Sequence, residues 1–152
     1  MRCKPSQQRT NENKRDNIAQ EIDQKDELAW ALALMVYVQR GLGQVSSAES
    51  YLYQTLEIGI NSRGYIPILC GLCGAALLLV DKGEIERAIE LKALTWCFPV
   101  AEKSRWFEDV AGREIDAAVE ALLPEVVAAA QERGRNRDIW ETAKELLEEL
   151  TE

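Results

Sequence analysis

From Gly64 to Val80 the chain runs for 17 residues without a charged side chain. A stretch that apolar must be shielded from water, either by lipid or by the rest of a protein. It sits at the bottom of the length range for a membrane span. Pro67, Gly71 and Gly74 interrupt it, and Asp81-Lys82 closes it. An earlier apolar run, Leu28 to Val38, is shorter still. Both suit helices buried inside a bundle better than spans, so the rest of the sequence is expected to supply their cover.

That cover reads as helix. β-Branched alternation is absent, while Ala, Leu and Glu dominate, so the pattern predicts an all-α chain. A first helix is expected over 27–40, stopped by Gly41 and Gly43. Ser46 and Glu49 have the spacing of a capping box and would open a second helix reaching about Asn61. Ser62-Arg63-Gly64 is the next turn. Pro67 then falls in the first turn of a third helix, where its missing N–H costs nothing. That helix should end at Asp81-Lys82-Gly83, and a fourth should run to about Trp96 before Phe98-Pro99 breaks the chain. Shorter helices are expected over 102–110, 112–123 and 124–134, with Asp138 capping the last one. The first 26 residues are polar and lack an apolar face, so they are expected to be a flexible lead-in. The organisation that follows is a polar segment (1–26), two αα hairpins (27–64 and 65–99) and a C-terminal helical cap (100–152).

Composition excludes several functions. The net charge of -8 and the acidic pI of about 4.8 argue against direct nucleic-acid binding, which needs a basic surface. The absence of histidine removes Ser-His-Asp and Cys-His catalysis and most zinc enzymes. No P-loop, dinucleotide glycine motif or H-E-x-x-H is present. Adjacent acids such as Glu108-Asp109 and Glu148-Glu149 diverge on a helix, so they cannot act as an acid/base pair. Cys70 and Cys73 form a C-x-x-C, but without a βαβ context. They read as small apolar residues one turn apart in a packed helix. With Cys3 and Cys97 they are expected to be reduced thiols in a cytoplasm, because no apolar leader precedes them. The chain is expected to be no enzyme and to need no cofactor or metal.

The two hairpins share a plan. Aligning Gly43 with Gly83 gives an offset of 40 residues and places Ala48 over Ala88 and Tyr51 over Leu91. A period in that range with two helices per unit is a solenoid signal. Gly83-Glu84-Ile85-Glu86-Arg87-Ala88 resembles the turn and second helix of tetratricopeptide-type (TPR-like) repeats. Leu72, Ala75, Ala76 and Leu79 stand where Trp, Leu, Gly and Tyr are usual in that family, and the period is longer than usual, which suits a degenerate αα variant. The stretch from Ala88 to Leu150, with FPVAEKSRWFEDVAGREI and LLPEVVAAAQERGRNRDIWETAKELLEEL, resembles the C-terminal end of repeat arrays in large bacterial transcriptional activators and signalling ATPases. The resemblance implies a TPR-like superhelix of two repeats plus a cap. It also implies interaction or sensing in signal transduction or transcription regulation, with other domains doing the chemistry.

In such a stack the first helix of each pair lines the concave side. Trp30, Ala33, Tyr37 and Arg40 share one face of the first helix, and Cys70, Cys73, Leu77 and Val80 share the equivalent face of the third. Aromatic and arginine anchors are typical of interfaces. Trp30, Tyr37, Arg40, Cys73, Arg105 and Trp106 are therefore the candidate partner-binding residues, for a protein or peptide or a small inducer. Trp96, Phe98, Trp106 and Phe107 bracket a chain break and could instead plug the end of the core. Leu28 to Val38 is apolar on nearly all sides, which predicts a homodimer through the N-terminal helix or burial against upstream repeats. The runner-up reading is a small membrane-associated helical protein using 28–38 and 64–80, and a third is an enzyme using Cys70 and Cys73.

Overall fold

The computed structural model describes residues 5–152, with side chains described from Thr10 onward except at residue 22. Among the described residues every regular element is a helix. The fold is thus all-α, as the residue pattern requires. None of these helices is long and apolar enough to cross a membrane.

Helix α1 spans Pro5–Gly41 and α2 spans Val45–Ser62; α3 (Tyr65–Asp81) and α4 (Ile85–Thr95) form the second hairpin. α1 therefore starts well before residue 27. Nothing between Pro5 and Gly41 breaks a helix, and proline is tolerated in a first turn, so the polar lead-in continues the helix from the body. Apart from residue 22, its residues 10–25 are exposed. Cys3 lies outside the described residues.

The two αα turns are built alike. Gly43 and Gly83 have φ of 75° and 80°, the left-handed region that glycine reaches without penalty. Gln44 N–H donates to Gln39 C=O and Glu84 N–H to Leu79 C=O, each at 2.9 Å. Ala48 and Ala88 are both buried. A further matching pair had no motif to announce it. Buried Thr55 and Thr95 each donate their hydroxyl to the carbonyl four residues back, both at 2.8 Å. The capping box does not form. The turn is so tight that α2 begins at Val45 with Gln44 as its cap. Ser46 thus lies inside the first turn, and Glu49 pairs with Lys82 at 2.7 Å instead.

The uncharged run becomes α3, the centre of the molecule, with Pro67 to Leu79 buried without exception. It packs between α1 and α2 on one side and α4 on the other. Its glycines mark the close approaches: a Cβ on Gly74 would meet Val36, and one on Gly71 would meet Leu56 and Thr55. The turn before α3 puts Arg63, rather than Gly64, in the left-handed region at φ 57°. Asp26 of α1 sits over Gly64, where a Cβ would displace it, and accepts the Ser62 hydroxyl at 2.7 Å.

Beyond α4, short helices α5 (Pro99–Glu102) and α6 (Arg105–Phe107) lead into a π-helical segment, Glu108–Gly112, continuous with α7 (Arg113–Val119). The break expected between 110 and 112 does not form: Gly112 lies inside this run, where a Cβ would meet Glu108 and Trp96. Helix α8 (Pro124–Arg135) packs on α4, and α9 (Ile139–Thr151) returns to α2. Asp138 caps α9 as expected, its carboxylate accepting the N–H groups of Trp140 and Glu141 at 2.9 Å. Arg87 of α4 binds Glu149 of α9 at 2.7 Å, so α9 bridges the second helices of both hairpins.

Candidate functional site

The first helix of each hairpin does present one shared face, but the chain itself occupies it. The segment Arg105–Val119 lies across α1, α3 and α4. Tyr37 meets Trp106 edge-to-face at 5.9 Å, and Trp106 and Phe107 pack at 5.1 Å. Phe107 in turn meets Trp96 at 6.2 Å. Phe107, Ala111 and Ile115 are buried. The aromatic residues around the chain break are a plug in the core, and the plug fills the predicted groove.

Charged groups fasten this segment at two places. The Arg40 guanidinium bonds both oxygens of Asp81 at 2.7 and 2.8 Å, and both of Glu114 at 2.9 and 2.5 Å. These hydrogen bonds, Asp81 first and then Glu114, hold the guanidinium even more firmly protonated than usual. Lys92 of α4 binds Asp116 at 2.6 Å. Beneath them the Tyr37 hydroxyl donates to the Cys70 carbonyl at 2.6 Å. Burial, reinforced by the nearby Cys73 and Cys70 thiols, raises the phenol well above its ordinary pKa.

Of the six candidate residues, Tyr37, Arg40 and Trp106 come together, bound to one another's elements within the chain. Cys73 is 1% exposed and cannot touch a partner in the folded state, so on this geometry it is a core residue. Burial pushes the Cys70 thiol up to about 12 and the Cys73 thiol higher still. Both are thus held as thiols near neutral pH, unlike the activated thiolates of redox C-x-x-C sites. Among the described residues no group of His, Cys, Asp or Glu has metal-binding geometry. Arg105 extends into solvent and makes a loose pair with Asp109 at 3.5 Å.

Besides Arg105, Trp30 is the candidate that stays open to a partner, and it does so in a recess. It is 47% exposed and lines a shallow hollow of about 420 Å³ with Asp26, Glu27, Arg63, Gly64, Tyr65, Ile66 and Pro67. The hollow forms where α1 leaves the body and overhangs the turn into α3. Its floor is stiffened by aromatic contacts: Tyr65 packs on Trp140 at 5.1 Å and on Phe98 at 5.6 Å. The Arg63 guanidinium stacks 4.4 Å above Trp140. Sequence reading missed Arg63, Tyr65 and Ile66. The available signal was an aromatic-aliphatic pair directly after a turn, where a core-facing helix has not yet begun to bury its residues. Comparison with protein-family models, curated proteins and solved structures finds no significant match to this chain.

Proposed function

We propose that the chain is a non-catalytic, TPR-like interaction or sensor module of a bacterial signalling or transcriptional regulator, working in the cytoplasm. It recognises its partner at the Trp30 hollow and not on the concave helix face. The observation that carries this reading is the hollow itself, an apolar recess with half-exposed Trp30, Tyr65 and Ile66 on a braced floor. Rigid aromatic anchors of this kind supply contact area at low entropic cost. The matching turns of the two hairpins support the TPR-like part of the reading.

The occupant that fits is a short partner segment with one bulky apolar side chain beside a lysine or arginine. The apolar group fills the recess, and the cation meets exposed Glu27 at its edge on a chain whose net charge is -8. Selection of a displayed random peptide library on the immobilised protein tests this. The expected result is enrichment of bulky-apolar/basic pairs, lost on Trp30→Ala and weakened by Glu27→Lys. Enriched peptides that bind Trp30→Ala equally well would refute the hollow as the site.

A further inference from the structure

The 40-residue offset that superimposes the two αα turns assigns every position of α1 an equivalent on α3. Leu28, Ala31, Met35 and Val38 correspond to Ile68, Gly71, Ala75 and Leu78. On α3 these four are buried. Ile68 lies against Gly59 of α2, and Gly71 against Leu52, Thr55 and Leu56 of α2. On α1 the same face is largely open: Leu28 is 52% and Val38 49% exposed, Ala31 is exposed, and Met35 is half-buried. The stripe continues through Leu42, 67% exposed at the hairpin tip. Hairpin one thus exposes the surface with which hairpin two joins the stack.

A preceding hairpin of the same chain cannot reach this face as hairpin one reaches α3. Before α3 the chain reverses at Ser62-Arg63-Gly64. The point equivalent to Gly64 is Gln24, and there α1 continues as helix back to Pro5. Those 20 residues lead the chain roughly 30 Å away. Cover from a second molecule meets no such geometric obstacle.

We propose that it is a second copy of this chain, with the two α1 helices antiparallel about residue 33. Leu28, Ala31, Met35, Val38 and Leu42 alternate at spacings of three and four, which is the seam of a coiled coil. In the antiparallel register Leu28 faces the partner's Val38 and Ala31 faces the partner's Met35. Small meets large and no charge is buried, so the stripe is its own complement, as a two-fold interface demands. Each α1 then runs on past the other's hairpin tip, where Leu42 and Val45 are exposed. This face is separate from the Trp30 hollow, and the inference does not depend on the reading of that hollow.

Sedimentation equilibrium of the full chain at tens of micromolar tests the proposal. The expected result is a dimer, whose dissociation constant rises more than about tenfold in Ala31→Glu and in Val38→Glu. Unchanged circular dichroism shows that each variant still folds. The orientation is tested by oxidative cross-linking in a Cys3→Ser/Cys97→Ser background. Leu28→Cys combined with Val38→Cys should yield disulfide dimers, whereas Leu28→Cys alone should not, its two copies being about 15 Å apart along the axis. A strict monomer, or a dimer indifferent to Ala31→Glu, overturns the proposal. Efficient cross-linking of Leu28→Cys alone overturns the antiparallel arrangement.

Discussion

Glycines in this chain do two unlike jobs, and sequence alone does not separate them. Gly43 and Gly83 end helices in the left-handed region, as their place after apolar runs suggests. Gly112 and Gly134 look equally like helix boundaries, yet both lie within helical runs where another element comes close. A Cβ on Gly134 would stand 2.2 Å from the Glu90 carbonyl oxygen, and backbone cannot yield as a side-chain tip can. Gly134→Ala must therefore push α8 off α4, and we expect a loss of about 2 kcal/mol, typical of overpacking. Gly41 is the internal control, because it ends α1 at an exposed site with nothing within 4 Å of a built Cβ. Gly41→Ala should leave stability unchanged or raise it by about 0.5 kcal/mol, through a smaller unfolded-state entropy. Urea unfolding of both variants decides this; similar midpoints would contradict the packing role of Gly134. The same difficulty separates Ser46 from Asp138. Both look like caps, but only Asp138 stands just before its helix in an extended conformation that turns its carboxylate onto the N–H groups of Trp140 and Glu141, while Ser46 is already inside α2.

At the scale of elements, α3 was the most legible part of the chain and also sets its chemistry. Its uncharged run required burial from all sides, and from Pro67 to Leu79 it received it. Burial keeps Cys70 protonated up to about 12, from an ordinary 9.0, and raises Cys73 and the Tyr37 phenol for the same reason. The consequence for stability has a definite sign. Above pH 9 the unfolded chain releases these protons while the folded one retains them, so ionisation favours unfolding. This contribution is fully present below pH 9 and is lost as pH rises towards and through the folded values. The urea midpoint should fall steadily between about pH 9 and pH 12. The fall should be shallower in Cys70→Ala/Cys73→Ala, whatever the variant's stability at pH 7. Parallel profiles would show that these thiols ionise as readily in the fold as outside it. What the sequence concealed was the segment 105–119. Its apolar residues follow helical spacing, and periodicity shows that a face must be covered without showing what covers it.

For the whole molecule, two stacked hairpins and what closes them are different problems. The hairpin plan could be read because it is local: glycine turns, alanines and helix lengths recur at a fixed offset. The closure is long-range. Segment 105–119 seals the first-helix side through Trp106, Phe107 and Ile115, and α9 crosses the second-helix side from α2 to α4. With both sides sealed, the hairpins form part of one core that runs from Ala33 to Leu146. They are unlike the self-supporting units of a long solenoid, where each repeat relies only on its neighbours. Cutting the chain after Lys103 tests the difference. The fragment 1–103 keeps both hairpins but bares the faces of α1, α3 and α4 that Phe107, Ala111 and Ile115 cover, together with the face of α4 under α8. An apolar area that large, left open on a small body, favours a loosely packed state. We expect fragment 1–103 to retain helical circular dichroism, bind a hydrophobic dye and melt without a cooperative transition. A cooperative melt close to that of the intact chain would mean that the hairpins are independent repeats and that the C-terminal third only decorates them.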